Sequence, residues 1–390
     1  MGQLITGIDR VAVVHFVYNE KGRTEYAFNK KGTQVLFDNG VMGKDLIFNK
    51  QGYIESIGFL DSLGSKVERP NDSYSVIKYN YDDNGNKISI QYLDRNGDVS
   101  ENSKGIAFEE RDWDDNGNLV EKRNYDINYK LIPFGEDIAV TRWEYDKKGN
   151  KIRESHFDNI LQPTMDLMNV SVYEWTHYEQ GNELEQRNYD SKGALTLDED
   201  GFASYRWIYD DKGNILQVMY YDEFDKLKAN NWGIAKYRWK FDSIGRKVEV
   251  SHFGSYDEII PNENGVSSIR YSYDKYGNLS SKLNFDKNNK LVNDKNGIAQ
   301  YLYKYNSDNV LTEIRQLGRY DQLKADLDFV SIYKRKYDTM GNLIEERYLG
   351  IDEKLVENRE GTALLRKRFL RDGSQVEFKK YNRNRLIIGD

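Results

Sequence analysis

The sequence predicts an all-β fold built as an elongated open array of stacked β-hairpins. The pentad Asp-x-x-Gly-Asn, or a close relative, recurs in ten copies at steps of 32 residues, with no insertion or deletion between them. Before each turn, aromatic and charged residues tend to alternate, which is typical of strands with one packed and one wet face. One supersecondary unit is therefore copied along most of the chain. The period is marked by Gly85, Gly117, Gly149, Gly181, Gly213, Gly245, Gly277, Asn309, Gly341 and Gly373.

The copy at residues 235–267 shows how one unit is expected to fold. Residues 236–241 read Lys-Tyr-Arg-Trp-Lys-Phe, and this alternation predicts a strand. At the turn, Asp242 can accept hydrogen bonds from the backbone and Gly245 can adopt a positive φ, so the chain reverses. The return strand is predicted over residues 247–253, which completes a β-hairpin.

Two further columns belong to the connection between hairpins. An apolar residue is expected to anchor each connection to the core, with Pro163 as the one departure. The position ten residues before the turn is always Ala or Ser, which indicates a close approach to neighbouring backbone. The anchors are Val99, Leu131, Leu195, Leu227, Ile259, Leu291, Leu323 and Leu355. The small residues are Ala107, Ala139, Ser171, Ala203, Ala235, Ser267, Ala299, Ser331 and Ala363.

The ends depart from the period and divide the chain into three predicted regions. Residues 1–47 carry turn motifs out of register and are predicted to form an N-terminal cap of irregular hairpins. Residues 48–381 are predicted to be the tandem repeats, and residues 382–390 a C-terminal tail or truncated cap. The Gly- and Asn-rich turns argue against a helical repeat. A propeller blade would need four strands and about 40 residues, so an open array remains.

Composition limits the classes of function. The 390 residues include 57 basic and 64 acidic side chains, interspersed to a net charge of −7, which argues against a nucleic-acid partner. No stretch approaches the length of apolar sequence that crosses a bilayer, so no membrane span is predicted. The chain has no Cys, which excludes disulfides, thiolate metal sites and thiol nucleophiles.

The turn sequences resemble those of a known family. The words Tyr-Asp-x-x-Gly-Asn at residues 145–150, 209–214 and 273–278 resemble the YD repeats of bacterial RHS-type proteins, in a variant with a 32-residue period. The likeness covers roughly residues 48–381. It implies coiled β-sheets exposed at or outside the cell surface, which serve in adhesion, in carbohydrate binding or as shells around a toxic C-terminal domain.

An aromatic ladder stands six residues before the turn, and four successive copies carry Trp there. Two interpretations remain open. The rings could form a stacking platform for sugar rings or a peptide, or they could simply be the packed face of the strands. The ladder consists of Tyr79, Trp143, Trp175, Trp207, Trp239, Tyr271 and Tyr303.

A polar column stands seven residues after the turn, next to an aromatic or Leu column that runs from Leu93 to Leu349. Strand alternation sends the two columns to opposite faces. If the aromatic column is buried, the polar column lies outside and can bind polar ligands; alternatively, it is a solvated ladder that holds the strand register. The polar column consists of Tyr92, Asn124, His156, Asn188, Tyr220, His252, Asn284, Gln316 and Tyr348.

Catalytic signals are sparse. The four His residues are scattered, and no nucleophile elbow, zinc-protease helix, phosphate loop or dinucleotide fingerprint is present. Turns such as residues 82–86 resemble the first half of a calcium loop but lack the downstream bidentate Glu. No catalytic residue, metal or cofactor is therefore predicted.

We expect a non-catalytic bacterial surface or secreted protein that presents a long repetitive face to a glycan or protein ligand. The alternatives are an interaction scaffold or shell segment of a YD-repeat toxin system and, third, a carbohydrate-active enzyme. The N-terminus shows no signal peptide, so an extracellular, cell-surface or periplasmic location follows from the resemblance alone. The sequence leaves the ligand and the oligomeric state open.

Overall fold

The computed structural model describes residues 11, 13–37, 40–134 and 137–389. The chain divides into two compact units, Met1–Ala203 and Ser204–Asp390. Every helix or strand assigned within the described residues is a β-strand, and strands close in the chain pair antiparallel inside each unit. The predicted all-β hairpin architecture is confirmed.

The first unit alternates, from its fourth strand onward, six-residue strands that run into a tight turn with seven-residue strands that return. The second described strand is shared, because it pairs with the first, third and fourth. The described strands are β1 (Val13–Tyr18), β2 (Gly22–Phe28), β3 (Gln34–Val35), β4 (Gly43–Phe48), β5 (Ile54–Leu60), β6 (Val76–Tyr81), β7 (Lys87–Leu93), β8 (Phe108–Trp113), β9 (Leu119–Tyr125), β10 (Val140–Tyr145), β11 (Lys151–Phe157), β12 (Val172–His177) and β13 (Glu183–Tyr189).

The second unit repeats the same alternation, and each described strand pairs with the next along the chain. The described strands are β14 (Ser204–Tyr209), β15 (Ile215–Tyr221), β16 (Lys236–Phe241), β17 (Lys247–Phe253), β18 (Ser268–Tyr273), β19 (Leu279–Phe285), β20 (Gln300–Tyr305), β21 (Leu311–Leu317), β22 (Ile332–Tyr337), β23 (Leu343–Leu349), β24 (Leu364–Phe369), β25 (Gln375–Tyr381) and β26 (Ile387–Gly389).

Each repeat contains three tight turns, which we name the first, second and third turn, and most of them open with an Asp or Asn side chain that accepts backbone N–H groups. In the first turn at residues 274–278, the Asp274 side chain accepts the backbone N–H groups of Tyr276 and Asn278, both at 2.9 Å. Gly277 adopts a φ of 92°, as a residue without a Cβ can do at little cost. The Asp and Gly roles predicted from the pentad are confirmed. The second and third turns of this repeat, at residues 286–290 and 294–298, use the same side-chain bonds.

The small residue before each hairpin lies where two repeats meet. Ala235 donates its N–H to the Phe253 carbonyl at 2.8 Å, and its own carbonyl accepts the N–H of Tyr220 in the preceding repeat at 3.0 Å. All nine small residues are buried, so the predicted close packing is confirmed. Sequence reasoning missed the column directly before them, which supplies six of the largest fully buried side chains: Ile106, Val170, Ile234, Val266, Ile298 and Val330.

The strand pairing sorts the columns onto two faces. In the hairpin of β16 and β17, Tyr237 pairs with His252 and Trp239 pairs with Val250, so the aromatic ladder and the polar column share one face. We call this the ladder face. On the opposite, charged face, Arg238 lies 4.5 Å from the centre of the Phe253 ring. Three further arginines contact rings of the aromatic column in the same way. Arginine side chains therefore cover four rings of this column by cation–π contact.

The three predicted regions map onto the described strands as follows. The described part of residues 1–47 contains β1, β2, β3 and most of β4, and residues 1–10, 12, 38 and 39 lie outside the described residues. Residues 382–386 form a turn of the repeat type that leads into β26, which pairs with β25. The functional meaning of the three regions stays a prediction.

Candidate functional site

The polar column is buried, and its expected exposure is wrong. Asn188 is 0% exposed, and Asn124, His156, His252, Asn284, Gln316 and Tyr348 are also buried, while Tyr92 and Tyr220 are half-buried. Alternation placed the two columns on opposite faces correctly. It could not show that the third turn folds against the ladder face and covers the polar side chains. The face with the aromatic column is the one that carries exposed charge.

Members of the polar column hold the third turn in place. Asn188 Nδ2 donates to the Phe202 carbonyl at 3.1 Å, and Gln316 Nε2 donates to the Val330 carbonyl at 3.2 Å. His252 Nδ1 lies 3.2 Å from the Val266 carbonyl oxygen. A neutral ring protonated at Nδ1 donates a hydrogen bond to this oxygen. In each case the acceptor is fourteen residues further along the chain. The column therefore joins strand to turn inside each repeat, because buried polar groups need partners.

The identity of the polar residue follows the residue that opens the third turn. The four copies that open with Asp place an N–H donor of Asn, Gln or His in the column: His156 with Asp166, Asn188 with Asp198, Asn284 with Asp294, and Gln316 with Asp326. Four copies that open with Asn carry Tyr or His instead: Tyr92 with Asn102, Tyr220 with Asn230, His252 with Asn262, and Tyr348 with Asn358. This covariation at a spacing of ten residues is a sequence signal that could have revealed the structural role.

The aromatic ladder is half-buried and largely engaged within the protein. Tyr173 and Trp175 lie 5.6 Å apart with nearly parallel rings, and Tyr237 and Trp239 do the same at 5.8 Å. Lys151 lies 4.4 Å from the Trp175 ring centre. The ladder members Trp143, Trp207, Tyr271 and Tyr303 are likewise half-buried. These contacts favour the interpretation of the ladder as a packed face over most of its length.

Burial and local bonds set the protonation of several groups on this face. Burial alone would raise the pKa of Glu154, but hydrogen bonds from His156, Lys151 and Trp143 outweigh it and lower that pKa to about 2. Burial lowers the pKa of His252 and favours its neutral ring. Burial, together with a hydrogen bond to Asp326, raises the pKa of Tyr333. These contacts tie the three titratable groups to the packing of the ladder face.

One part of the ladder face opens into a groove. It has a volume of 360 Å³, lies over β20, β21 and β22 in the second unit, and is flanked by the third turns at residues 294–298 and 326–330. Of the predicted site residues, the structure brings together Tyr303 of the ladder and Gln316 of the polar column. The remaining lining residues were not predicted: Asn296, Tyr301, Ile314, Asp326, Leu327, Asp328 and Tyr333.

The third turn at residues 326–330, which we call the 326–330 loop, breaks the repeat symmetry beside this groove. Phe329 has a φ of 66°, at a position that is Gly in six other copies and Asn in one. Its side chain is 57% exposed and that of Leu327 is 50% exposed. A bulky residue in the left-handed region is a genuine outlier. The sequence signal for it is an aromatic residue in a column of glycines.

The 326–330 loop is held firmly despite this strain. Asp326 accepts hydrogen bonds from Gln316 Nε2 at 2.8 Å and from the Tyr333 hydroxyl at 2.7 Å. From the next repeat, Arg359 Nε donates to the Leu327 carbonyl at 2.6 Å. The loop is therefore tied to strand, turn and neighbour, and it presents two apolar side chains from a fixed backbone.

Among residues 11, 13–37, 40–134 and 137–389, no three His, Asp or Glu side chains are grouped as metal ligands. In the same part of the chain, no helix has the length and apolar character to cross a membrane.

Neither a protein-family model nor a curated protein matches the chain. Solved structures that resemble it include TcdB2-TccC3-TEV, at 13% identity over 90% of this chain and 20% of that one, with a TM-score of 0.27. TcdB2-TccC3 without its hypervariable C-terminal region matches at 13% identity over 93% and 21%, with a TM-score of 0.27. A Photorhabdus luminescens Tc holotoxin pore matches at 13% over 95% and 25%, with a TM-score of 0.19. This chain spans about a fifth of the first two, and such TM-scores carry no functional conclusion.

Proposed function

We propose that this chain is a non-catalytic binding scaffold, acting outside the cytoplasm, whose partner is another protein. The partner docks at the groove on the ladder face and on the 326–330 loop that borders it. The single observation behind this proposal is Phe329, an exposed aromatic residue in left-handed backbone at a position where seven other repeats use Gly or Asn. The location outside the cytoplasm rests on the resemblance of the turn words to YD repeats.

The left-handed backbone at Phe329 costs folding free energy. A non-Gly residue in the left-handed region costs about 1–2 kcal/mol, and such strain clusters where it serves function. An exposed side chain recovers little of that cost through burial. Glycine at the same place would remove the strain, as six other repeats show. We therefore assign the exposed ring of Phe329 to partner binding.

The chemistry of the surface favours a protein over other partners. Leu327 and Phe329 offer two apolar anchors on a rigid loop, next to a groove lined by Tyr301, Tyr303 and Tyr333. Aromatic and aliphatic anchors beside a pocket are typical of the centres of protein interfaces. A groove between two turns suits an extended segment that lies across the strands.

Display selection tests this proposal without a known partner. Short random peptides on phage are selected on the full chain and then counter-selected on Phe329→Gly. We expect enriched peptides that bind the wild-type chain and lose about tenfold or more in affinity on Phe329→Gly, the order expected for an apolar anchor. Tyr320→Ser is the matched control, because Tyr320 is 71% exposed on the second turn that precedes the 326–330 loop. Selected peptides that bind Phe329→Gly as well as wild type would contradict the proposal.

A glycan is the second candidate ligand, because the rings of Tyr301 and Tyr303 in the groove are the kind of surface on which sugars stack. A glycan array probed with wild type and with Tyr303→Leu addresses it: binding that depends on Tyr303 would favour a sugar over a peptide. The narrower role of shell segment in a YD-repeat toxin system rests on the turn words. Co-purification with one exported partner is the test of that role.

A further inference from the structure

Two equivalent grooves lie one repeat apart on the ladder face of the second unit. The first has a volume of 180 Å³ and lies by the third turns at residues 262–266 and 294–298. The second is the 360 Å³ groove by the 326–330 loop. Asp294 and Tyr301 in the smaller groove correspond to Asp326 and Tyr333 in the larger one, exactly one period later in sequence. The same position of the repeat can therefore be compared in two copies whose lining residues differ.

The smaller groove contains a lysine of the chain itself. Lys282 lines it and places its ammonium nitrogen 5.1 Å from the centre of the Tyr301 ring. Tyr301 in turn donates its hydroxyl to Asp294 at 2.8 Å. An ammonium near a tyrosine ring and a carboxylate is a favourable arrangement, through cation–π attraction and charge.

In the larger groove, the equivalent of Lys282 is Ile314. The tyrosine and the aspartate are the same in both grooves: the Tyr333 hydroxyl donates to Asp326 at 2.7 Å, as the Tyr301 hydroxyl does to Asp294. Ile314 brings no ammonium group, and the volume of this groove is twice that of the smaller one. The cation that fills one site is absent from the other.

Two further substitutions move the charge in the same direction. Lys295 and Asn296 beside the smaller groove correspond to Leu327 and Asp328 beside the larger one. The smaller lining carries two lysines and one carboxylate, whereas the larger lining carries two carboxylates and no basic side chain. Arg359 lies 3.8 Å from Asp328, but both side chains are more than half exposed, so water screens this pair.

We infer that the larger groove binds a lysine or arginine side chain of the partner, which takes the place that Lys282 fills one repeat earlier. This inference rests on the proposed function and names the chemistry of its ligand. The tyrosine rings and Asp328 receive the cation, while Leu327 and Phe329 contact apolar residues on either side of it. The ligand is an extended peptide segment with a basic residue flanked by apolar ones.

Selection from two phage peptide libraries tests the inference, one with Lys fixed at the centre and one with Gln fixed there. We expect the Lys library to yield binders at least about tenfold tighter, the order of a desolvated cation–π contact with a carboxylate partner. Peptides of equal affinity from both libraries would overturn the inference. If the binding of these peptides depends on Phe329, the proposed function stays intact. If neither library yields binders that depend on Phe329, the proposed function is overturned as well.

A self-filled groove gives an independent test on the best Lys peptide. Ile314→Lys should place an ammonium in the groove as Lys282 does in its neighbour, and weaken binding about tenfold or more. Ile314→Leu is the matched control and should bind as wild type. Circular dichroism and urea unfolding establish that both variants fold. Unchanged affinity of the folded Ile314→Lys chain would overturn the inference.

Discussion

Replacing Asn188 by Leu tests the structural role of the polar column most sharply. Asn188 is fully buried, and its Nδ2 donates to Asp198 Oδ2 at 3.0 Å and to the Phe202 carbonyl at 3.1 Å. Leu has a similar size but no donor. Asn188 Oδ1 also accepts a hydrogen bond from Gln186 Nε2 at 2.9 Å. Loss of these three hydrogen bonds, one of them to a carboxylate, costs about 3–4 kcal/mol, of which the added apolar burial returns about 1 kcal/mol. We expect a net loss of about 2–3 kcal/mol.

Asn124→Leu is the matched control in the same column. Asn124 is buried, but among the described residues its Oδ1 has no hydrogen-bond partner, and its third turn has Phe134 where other copies have Asp or Asn. Leu there removes a poorly satisfied polar group and adds apolar contact. We expect this variant to be neutral or more stable by up to about 1 kcal/mol.

Native-state hydrogen exchange of the full chain measures the two variants locally. Repeat arrays unfold in parts, so a single global transition can hide a local loss. A loss of about 2–3 kcal/mol speeds exchange of the amides between β13 and Ala203 by roughly 30- to 150-fold, since each 1.4 kcal/mol is tenfold. Equal effects of Asn188→Leu and Asn124→Leu would refute the reasoning, because the two sites differ in their partners and not in their burial.

Three further outcomes follow from the same structure. Ala235→Leu should destabilise the second unit by about 1–3 kcal/mol or more, because Ala235 is fully buried. Ser331→Ala should be neutral or stabilising, because the buried Ser331 hydroxyl has no hydrogen-bond partner in the described part of the chain, and urea unfolding compares the two variants. The lowered pKa of Glu154 means that its contribution is present above its ordinary pKa and is lost as pH falls from about 4.5 to about 2, so the stability gap between wild type and Glu154→Gln should shrink across that window in acid titrations of unfolding. Phe329→Gly should change stability by no more than about 1 kcal/mol, because relief of strain offsets the lost contact, and a loss of about 3 kcal/mol would show that the ring serves the fold.

Much of the fold could be predicted because local chemistry repeats. Asp274 and Gly277 fix a tight turn whatever surrounds them, and the alternation in residues 236–241 fixes which side chains share a face. These features act within a few residues, so one copy is enough to read them and ten copies remove the ambiguity. The burial of Ala235 could also be predicted, because close approach of neighbouring backbone leaves no room for a larger side chain.

The candidate site was harder to predict from the sequence, because it depends on how the third turn folds back onto the strands. Alternation separates His252 from Phe253 but does not say which face receives a cover. The cover is the third turn, and the clue lay in the residue pairs ten apart, such as Asn188 with Asp198. At the larger groove, Ile314 stands where the preceding copy has Lys282, and the consequence of this difference appears only when the two repeats are compared in space.

Hydrogen exchange with a bound peptide tests the central claim most directly, namely that the chain binds through one symmetry-breaking groove and not through its repeated face. The full chain is compared alone and saturated with the best peptide from the Lys library. We expect added protection confined to the backbone of residues 294–303, 314–316 and 326–333, which surrounds the groove. Protection spread evenly over equivalent positions of many repeats, or centred on the charged face, would contradict the account.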